Sequence, residues 1–194
     1  MIFDNLKTKN LKTYGVVRTD KIEAYEAGRV HHIRLNKEGE EAITQNGELI
    51  IAGDIEVDNL DVREGVAVKE GDGAVALIAD PVKIYDESSY MSRHENQYYM
   101  ENGHVARAYK LVPTDVFSVT KEVLENAVAL KDFKSAEGEK FAVAGEDGKI
   151  KIVDAEVEEG FCAKVVAVEP VGGRYAFAGG AQPQEYVILD VKSN

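Results

Sequence analysis

The chain of 194 residues contains no tryptophan, one cysteine and few aromatic residues, 8% in all. Without large rings to fill its interior it must build a core from Val, Ile, Leu and Ala, and its 17 glycines belong to turns. A single cysteine cannot staple the fold internally, so no disulfide framework is expected. Cys162 lies in the strand-like run Phe161-Cys162-Ala163-Lys164-Val165, where no sequence feature supplies an activating His or helix start, and it reads as buried filler. Basic residues are also scarce. Lys and Arg number 23 against 35 Asp and Glu, a formal net charge of −12. Such a surface repels phosphate backbones and anionic headgroups, which argues against nucleic acid and membrane as partners. No window approaches a membrane span, and residues 1–15 hold no apolar stretch long enough for a secretion signal. The expectation is a soluble chain made without export in a reducing cytoplasm.

What the chain does have is hairpin vocabulary, clearest in residues 138–192. Phe141-Ala142-Val143-Ala144 runs into Gly145-Glu146-Asp147-Gly148, and Lys149-Ile150-Lys151-Ile152-Val153 runs out with alternating polarity. An Asp-Gly pair between two such runs predicts a type I′ turn, because both central residues need positive φ. Val165, Val166 and Val168 form a β-branched run ended by Glu169-Pro170, and Tyr186 to Val191 supplies a last strand. Four short strands are predicted there.

Earlier in the chain, strand signals begin at Tyr14-Gly15-Val16-Val17-Arg18 and recur from Val30 to Leu35. In the second of these, Val30, His32 and Arg34 face one way and His31, Ile33 and Leu35 the other. Adjacent histidines on a strand therefore cannot share a metal, and His94 and His104 stand alone. A second hairpin is predicted over residues 38–52, turning at Asn46-Gly47. Its turn residues echo those of the later hairpin at an offset close to 100 residues, as do Asp54-Ile55-Glu56-Val57 and Asp154-Ala155-Glu156-Val157. Chance sharing of turn residues and an internal duplication both account for this echo. Thr120 is placed to cap one short helix through residues 121–127, with Val123, Leu124 and Ala127 on one side.

The predicted architecture is mainly β, with small barrel or sandwich modules built from hairpins. It comprises an extended N-terminal arm (1–13), a first β-module (14–111), a connecting segment with the short helix (112–136) and a C-terminal β-module (137–194). The first 21 residues hold five basic side chains against Asp4 and Asp20. That is either a solvated terminus or a basic arm that docks on an acidic neighbour, through Lys7, Lys9 and Lys12. Residues 86–103 lose all periodicity. Such a long loop either folds over the protein's own core or carries function, and Tyr90, Met91, Arg93, Tyr98, Tyr99 and Met100 are the residue types that anchor protein interfaces. These nine residues are the candidate partner contacts.

No catalytic signature emerges. The best constellation, His94 with Ser92 and Glu95, lies in the aperiodic loop, and the serines lack the strained turn of a nucleophile elbow. Carboxylate pairs are too common in so acidic a chain to mark an acid and base. Glu70-Gly71-Asp72-Gly73 surrounds its glycines with carboxylates and so does not read as a phosphate loop. Neither enzyme activity nor a metal or other cofactor is expected.

Two stretches carry a family resemblance. One comprises residues 138–143, 163–169 and 186–191 of the closing module. The other is Ala106-Arg107-Ala108-Tyr109-Lys110-Leu111 followed by Asp115-Val116-Phe117-Ser118-Val119. Together with the acidic character, single cysteine and N-terminal arm, they resemble the accessory capsid proteins of tailed bacteriophages, the decoration or head-stabilising proteins. The resemblance implies a structural virion protein, often a trimer at three-fold or quasi-three-fold positions. It would bind the outside of the major capsid protein lattice, with the arm reaching a neighbouring subunit. Another virion component, of tail or connector, and a non-catalytic ligand-binding β-protein are the alternatives.

Overall fold

The computed structural model describes residues 13–23, 26, 28–37, 42–82, 95–131, 133–134, 138–171 and 184–194. It is mainly β. The strands are β1 (Val17–Lys21), β2 (Val30–Arg34), β3 (Ile43–Thr44), β4 (Leu49–Ile55), β5 (Val62–Val66), β6 (Val75–Ile78), β7 (Met100–Glu101), β8 (Val105–Lys110), β9 (Val116–Thr120), β10 (Phe141–Ala144), β11 (Ile150–Val153), β12 (Cys162–Val171) and β13 (Gln184–Ser193). Five of them close a barrel in the order β2-β5-β4-β6-β8. Six form a second sheet in the order β1-β9-β13-β12-β10-β11, and β3 pairs with β7 alone.

The two larger sheets repeat one topology. In the barrel, β4 and β5 form a hairpin, β6 pairs with β4, β8 with β6, and β2 with β8, all antiparallel. In the second sheet β10 and β11 form the hairpin, β12 pairs with β10, β13 with β12, and β9 with β13, again all antiparallel. The barrel closes through a parallel seam between β2 and β5. At the matching place in the second unit, the residues after β9 reach β11 through a parallel bridge, Leu124 to Ile150. The repeat is thus one of strand order, in a different alignment from the one the turn residues indicate. The turn at Asn46-Gly47 precedes β4, whereas that at Asp147-Gly148 joins β10 to β11, so its counterpart is the turn between β4 and β5.

Three expectations change. The hairpin predicted at Asn46-Gly47 does not form, because β3 pairs with β7 instead of β4. The short helix is two separate 3-10 turns, Lys121–Val123 and Ala127–Leu130, and Thr120 makes no capping bond. Its Oγ1 instead accepts the backbone N–H of Val16 at 3.1 Å. Finally, β1 bonds to β9 and extends the second sheet, although it precedes every strand of the barrel.

Two apolar clusters hold the units together. Ile33, Ile50, Ala76, Ile78, Ala106 and Ala108 fill the barrel. The other faces of β4 and β6 present Leu49, Val75 and Leu77 to a larger core shared with Phe117, Val119, Ile150, Val165 and Leu189. That double duty explains Val75-Ala76-Leu77-Ile78, which is apolar at every position because both faces are buried.

Where strand pairing runs out, asparagine side chains substitute for it. Asn46 gives its amide N–H to Asp80 O and takes the N–H of Asp80. Asn102 does the same with Lys37, Asn126 with Ile152 and Asn194 with Val75, all within 3.0 Å. A carboxamide carries one acceptor and two donors and so matches the donor and acceptor of a peptide unit, which a carboxylate cannot do.

Candidate functional site

Four of the exposed large apolar side chains of the described residues gather on the β4–β5 hairpin, while Val128, 82% exposed, stands apart on the turn Ala127–Leu130. Val57 is 92% exposed and Leu60 77%, and Ile55 and Val66 on the flanking strands are about half exposed. The tip holding them is ordered by its own backbone, with Asn59 N–H donating to Glu56 O at 3.3 Å and Val62 N–H to Asn59 O at 3.0 Å. Arg34 on β2 then clamps the hairpin to the barrel. Its Nε and Nη2 reach the two oxygens of Glu56 at 2.5 and 3.0 Å, and its Nη1 donates to Gly103 O at 3.0 Å. The Arg34 hydrogen bonds hold the Glu56 carboxyl below the usual carboxylate range. Asp54, Asp58 and Asp61 are exposed around the tip. The result is a fixed apolar knob with an acidic surround. Leu60 and Val57 stand out in sequence only as apolar residues in an otherwise acidic turn, a signal that sequence reasoning passed over.

Of the sequence-predicted contacts, Lys7, Lys9, Lys12, Tyr90, Met91 and Arg93 lie outside the described residues. Of the other three, Met100 is buried and Tyr98 and Tyr99 are partly buried. Met100 is 2% exposed and fills the barrel core, so it serves packing and presents no contact surface. Tyr98 donates its hydroxyl to Asp80 Oδ2 at 2.7 Å; burial first, then that bond, push the phenol well above its ordinary range. Tyr99 packs a tilted ring on Tyr14, centroids 5.0 Å apart.

Asp80 is the hub of this region. Its Oδ2 also lies 3.2 Å from His104 Nε2, and its Oδ1 accepts the N–H of Arg107 at 3.2 Å. Tyr98, His104 and Arg107 are thereby tied to the end of β6. His31 and His32 diverge as their strand positions require, His32 exposed and His31 partly buried. Burial first, then the charges of Arg63 and Lys110, lower the His31 pKa. Among the described residues no group of three or more His, Cys, Asp or Glu is placed to hold a metal ion.

A cleft of about 1190 Å³ runs between the barrel and the tip of the β10–β11 hairpin. Thr13, Gln45, Glu48, Val68, Glu122 and Asp147 are among its walls. Glu48 is 3% exposed and pairs with Lys37 Nζ at 2.7 Å. Burial nonetheless outweighs the lysine and raises the Glu48 pKa. Glu122 takes a hydrogen bond from Thr13 Oγ1 at 3.4 Å on Oε1, while its Oε2 is buried with no partner among the described residues. Gly148, at φ +78°, closes the cleft floor, and a Cβ there would strike Leu49 O.

No family model, curated protein or solved structure matches this chain.

Proposed function

We propose that the chain is a non-catalytic structural protein of a tailed-phage virion, a decoration protein that binds the outer face of the capsid lattice and holds subunits together across their seams. The observation that carries this reading is the β4–β5 knob, where Val57 and Leu60 stand in solvent on a hairpin fixed by Arg34. Exposed apolar groups on a rigid support favour binding, since little order is lost when they are covered. The flanking Asp54, Asp58 and Asp61 match a partner pocket with a basic rim. About 1,000 Å² of fitted contact per site is enough for specific binding, and repetition of the chain, as a homotrimer on a symmetric shell, multiplies modest contacts into avidity. Assembly takes place in the host cytoplasm, with the capsid surface as destination.

The test is sedimentation of the purified chain with expanded capsids of its phage and with compact precursors. Binding to the expanded shells alone is expected, and Val57→Asp with Leu60→Asp abolishes it while leaving the circular dichroism spectrum unchanged. A chain that fails to sediment with expanded shells overturns the reading.

A further inference from the structure

Strand β2 is flanked on both sides in the closed barrel, by β5 in parallel and by β8 in antiparallel register. Its inward face carries Ile33, fully buried in the barrel core, and two residues earlier His31. Ile33 stands opposite Arg63 on β5, and His31 stands opposite Ala108 on β8, two residues before Lys110. Lys110 in turn faces Ala76, another buried residue of the same core. His31, Arg63 and Lys110 therefore share the inner face at one mouth of the barrel, with His31 diagonal to Lys110 at a backbone separation of about 7–8 Å. The apolar filling ends at Ile33, Ala76 and Ala108, and a guanidinium, an ammonium and an imidazole follow it. Arg63 is steadied by a hydrogen bond from Nη1 to Gly53 O at 3.0 Å, which uses one of its five donors. After burial, the influences that lower the His31 pKa are the charges of Arg63 and Lys110, so the groups acting on the ring are cationic.

The geometry points to a binding site for a small phosphate-type oxyanion at this mouth of the barrel, held by the Arg63 guanidinium, the Lys110 ammonium and a ring N–H of His31. Donors arriving from three strands suit a tetrahedral ion, whose several oxygens meet all of them at once, whereas a planar carboxylate offers two. The guanidinium fork grips phosphate oxygens in pairs, and the lysine adds a point charge. The apolar floor beneath lowers the local dielectric and strengthens each attraction. A long polyanion is disfavoured, because the chain carries a net charge of −12 and Asp54 and Asp61 stand exposed near the ends of β4 and β5 that border this mouth. A free phosphate, or the phosphate of a small monoester, meets both conditions.

The test adds inorganic phosphate to the full chain at pH 7 while the histidine ring resonances are followed by NMR, with sodium chloride of matched ionic strength as the control. The His31 signal is expected to shift saturably, half-way at about 1 mM or below, and its titration midpoint to rise, because a bound anion favours the protonated ring. His32, exposed on the other face of the same strand, is expected to stay in place. Lys110→Met, a change at an exposed position, is expected to weaken the response about tenfold or more, and Arg63→Met likewise. Glycerol phosphate in place of inorganic phosphate separates the two sources: equal or tighter binding assigns the site to monoesters, weaker binding to the free ion. A response to chloride as large as that to phosphate overturns the proposal. So does an unchanged response in Lys110→Met, a comparison that does not depend on whether Arg63→Met folds. The assay contains no capsid, so its outcome is separable from lattice binding.

Discussion

Arg29 Nη2 stands 2.6 Å from Asp115 Oδ2, and the two residues hold matching places, one immediately before β2 and the other immediately before β9. The first strands of the two repeated units are thereby riveted to each other. Both residues are buried, 6% and 4% exposed, and each has further partners: Arg29 Nε donates to Lys110 O, and Asp115 Oδ2 also accepts the N–H of Val112. Removing one member leaves an uncompensated buried charge. Asp115→Ala is expected to lower stability by about 3–5 kcal/mol, and the apolar pair Arg29→Met with Asp115→Leu to lower it by less. Urea unfolding of the three proteins checks this; a double variant weaker than the single one contradicts it.

The asparagine bridges make a sharper chemical prediction. Asn126→Asp keeps the shape but turns an acceptor toward Ile152 O, and about 1–3 kcal/mol is expected to be lost. The same change at Asn59, on the exposed tip, is expected to stay within about 0.5 kcal/mol. Equal effects at the two sites, read by thermal or urea unfolding, contradict the bridging role.

Gly148 and Gly71 share a positive φ but differ in what surrounds them. A Cβ on Gly71 meets nothing among the described residues, whereas one on Gly148 strikes Leu49 O across the unit boundary. Gly71→Ala is expected to lose only the left-handed penalty of about 1–2 kcal/mol. Gly148→Ala is expected to lose more, the excess measuring how tightly the β10–β11 hairpin seats on β4. Guanidinium titrations that rank the two variants the other way would refute the seating.

Glu48 sets a pH dependence. Its pKa is raised in the folded chain by burial, so its proton is held more tightly there than in the unfolded chain. Below the ordinary value of 4.5 both states are protonated and no penalty exists; as pH rises from there through the folded value, this group's contribution to stability falls. Glu48→Gln is expected to remove that decline. Lys37→Met, which deletes the countercharge, is expected to steepen it. Stability of the three proteins measured from pH 4 to 8 decides the matter, and parallel curves count against it.

Much of this was readable from local chemistry. Asp147 and Gly148 both take positive φ, and Lys149 N–H bonds Glu146 O at 3.0 Å, which makes the type I′ turn that an Asp-Gly pair between strands predicts. Ile33 and Leu35 are buried while His32 is exposed, as strand alternation requires. Failures came where a local signal met a distant competitor. Asn46-Gly47 does turn, but Ile43 and Thr44 find Glu101 and Met100 from far along the chain, and sequence spacing holds no trace of that pairing. Thr120 has the right side chain for a cap, yet Val16 takes its oxygen. Met100 shares its residue type with interface anchors and differs only in which side of the barrel wall it occupies. The knob at Val57 and Leu60 was overlooked because exposure is a property of the closed barrel, and no single segment displays it.

The partners of β1 and β2 bear on the order of events at the ribosome. β2 must wait for β8 and for its parallel neighbour β5, and among the described strands β1 bonds only to β9, matching Val17 to Val119. The opening strands therefore emerge with nothing to hold them, and a nascent chain stalled short of residue 110 exposes two unpaired edges that invite association with other nascent chains.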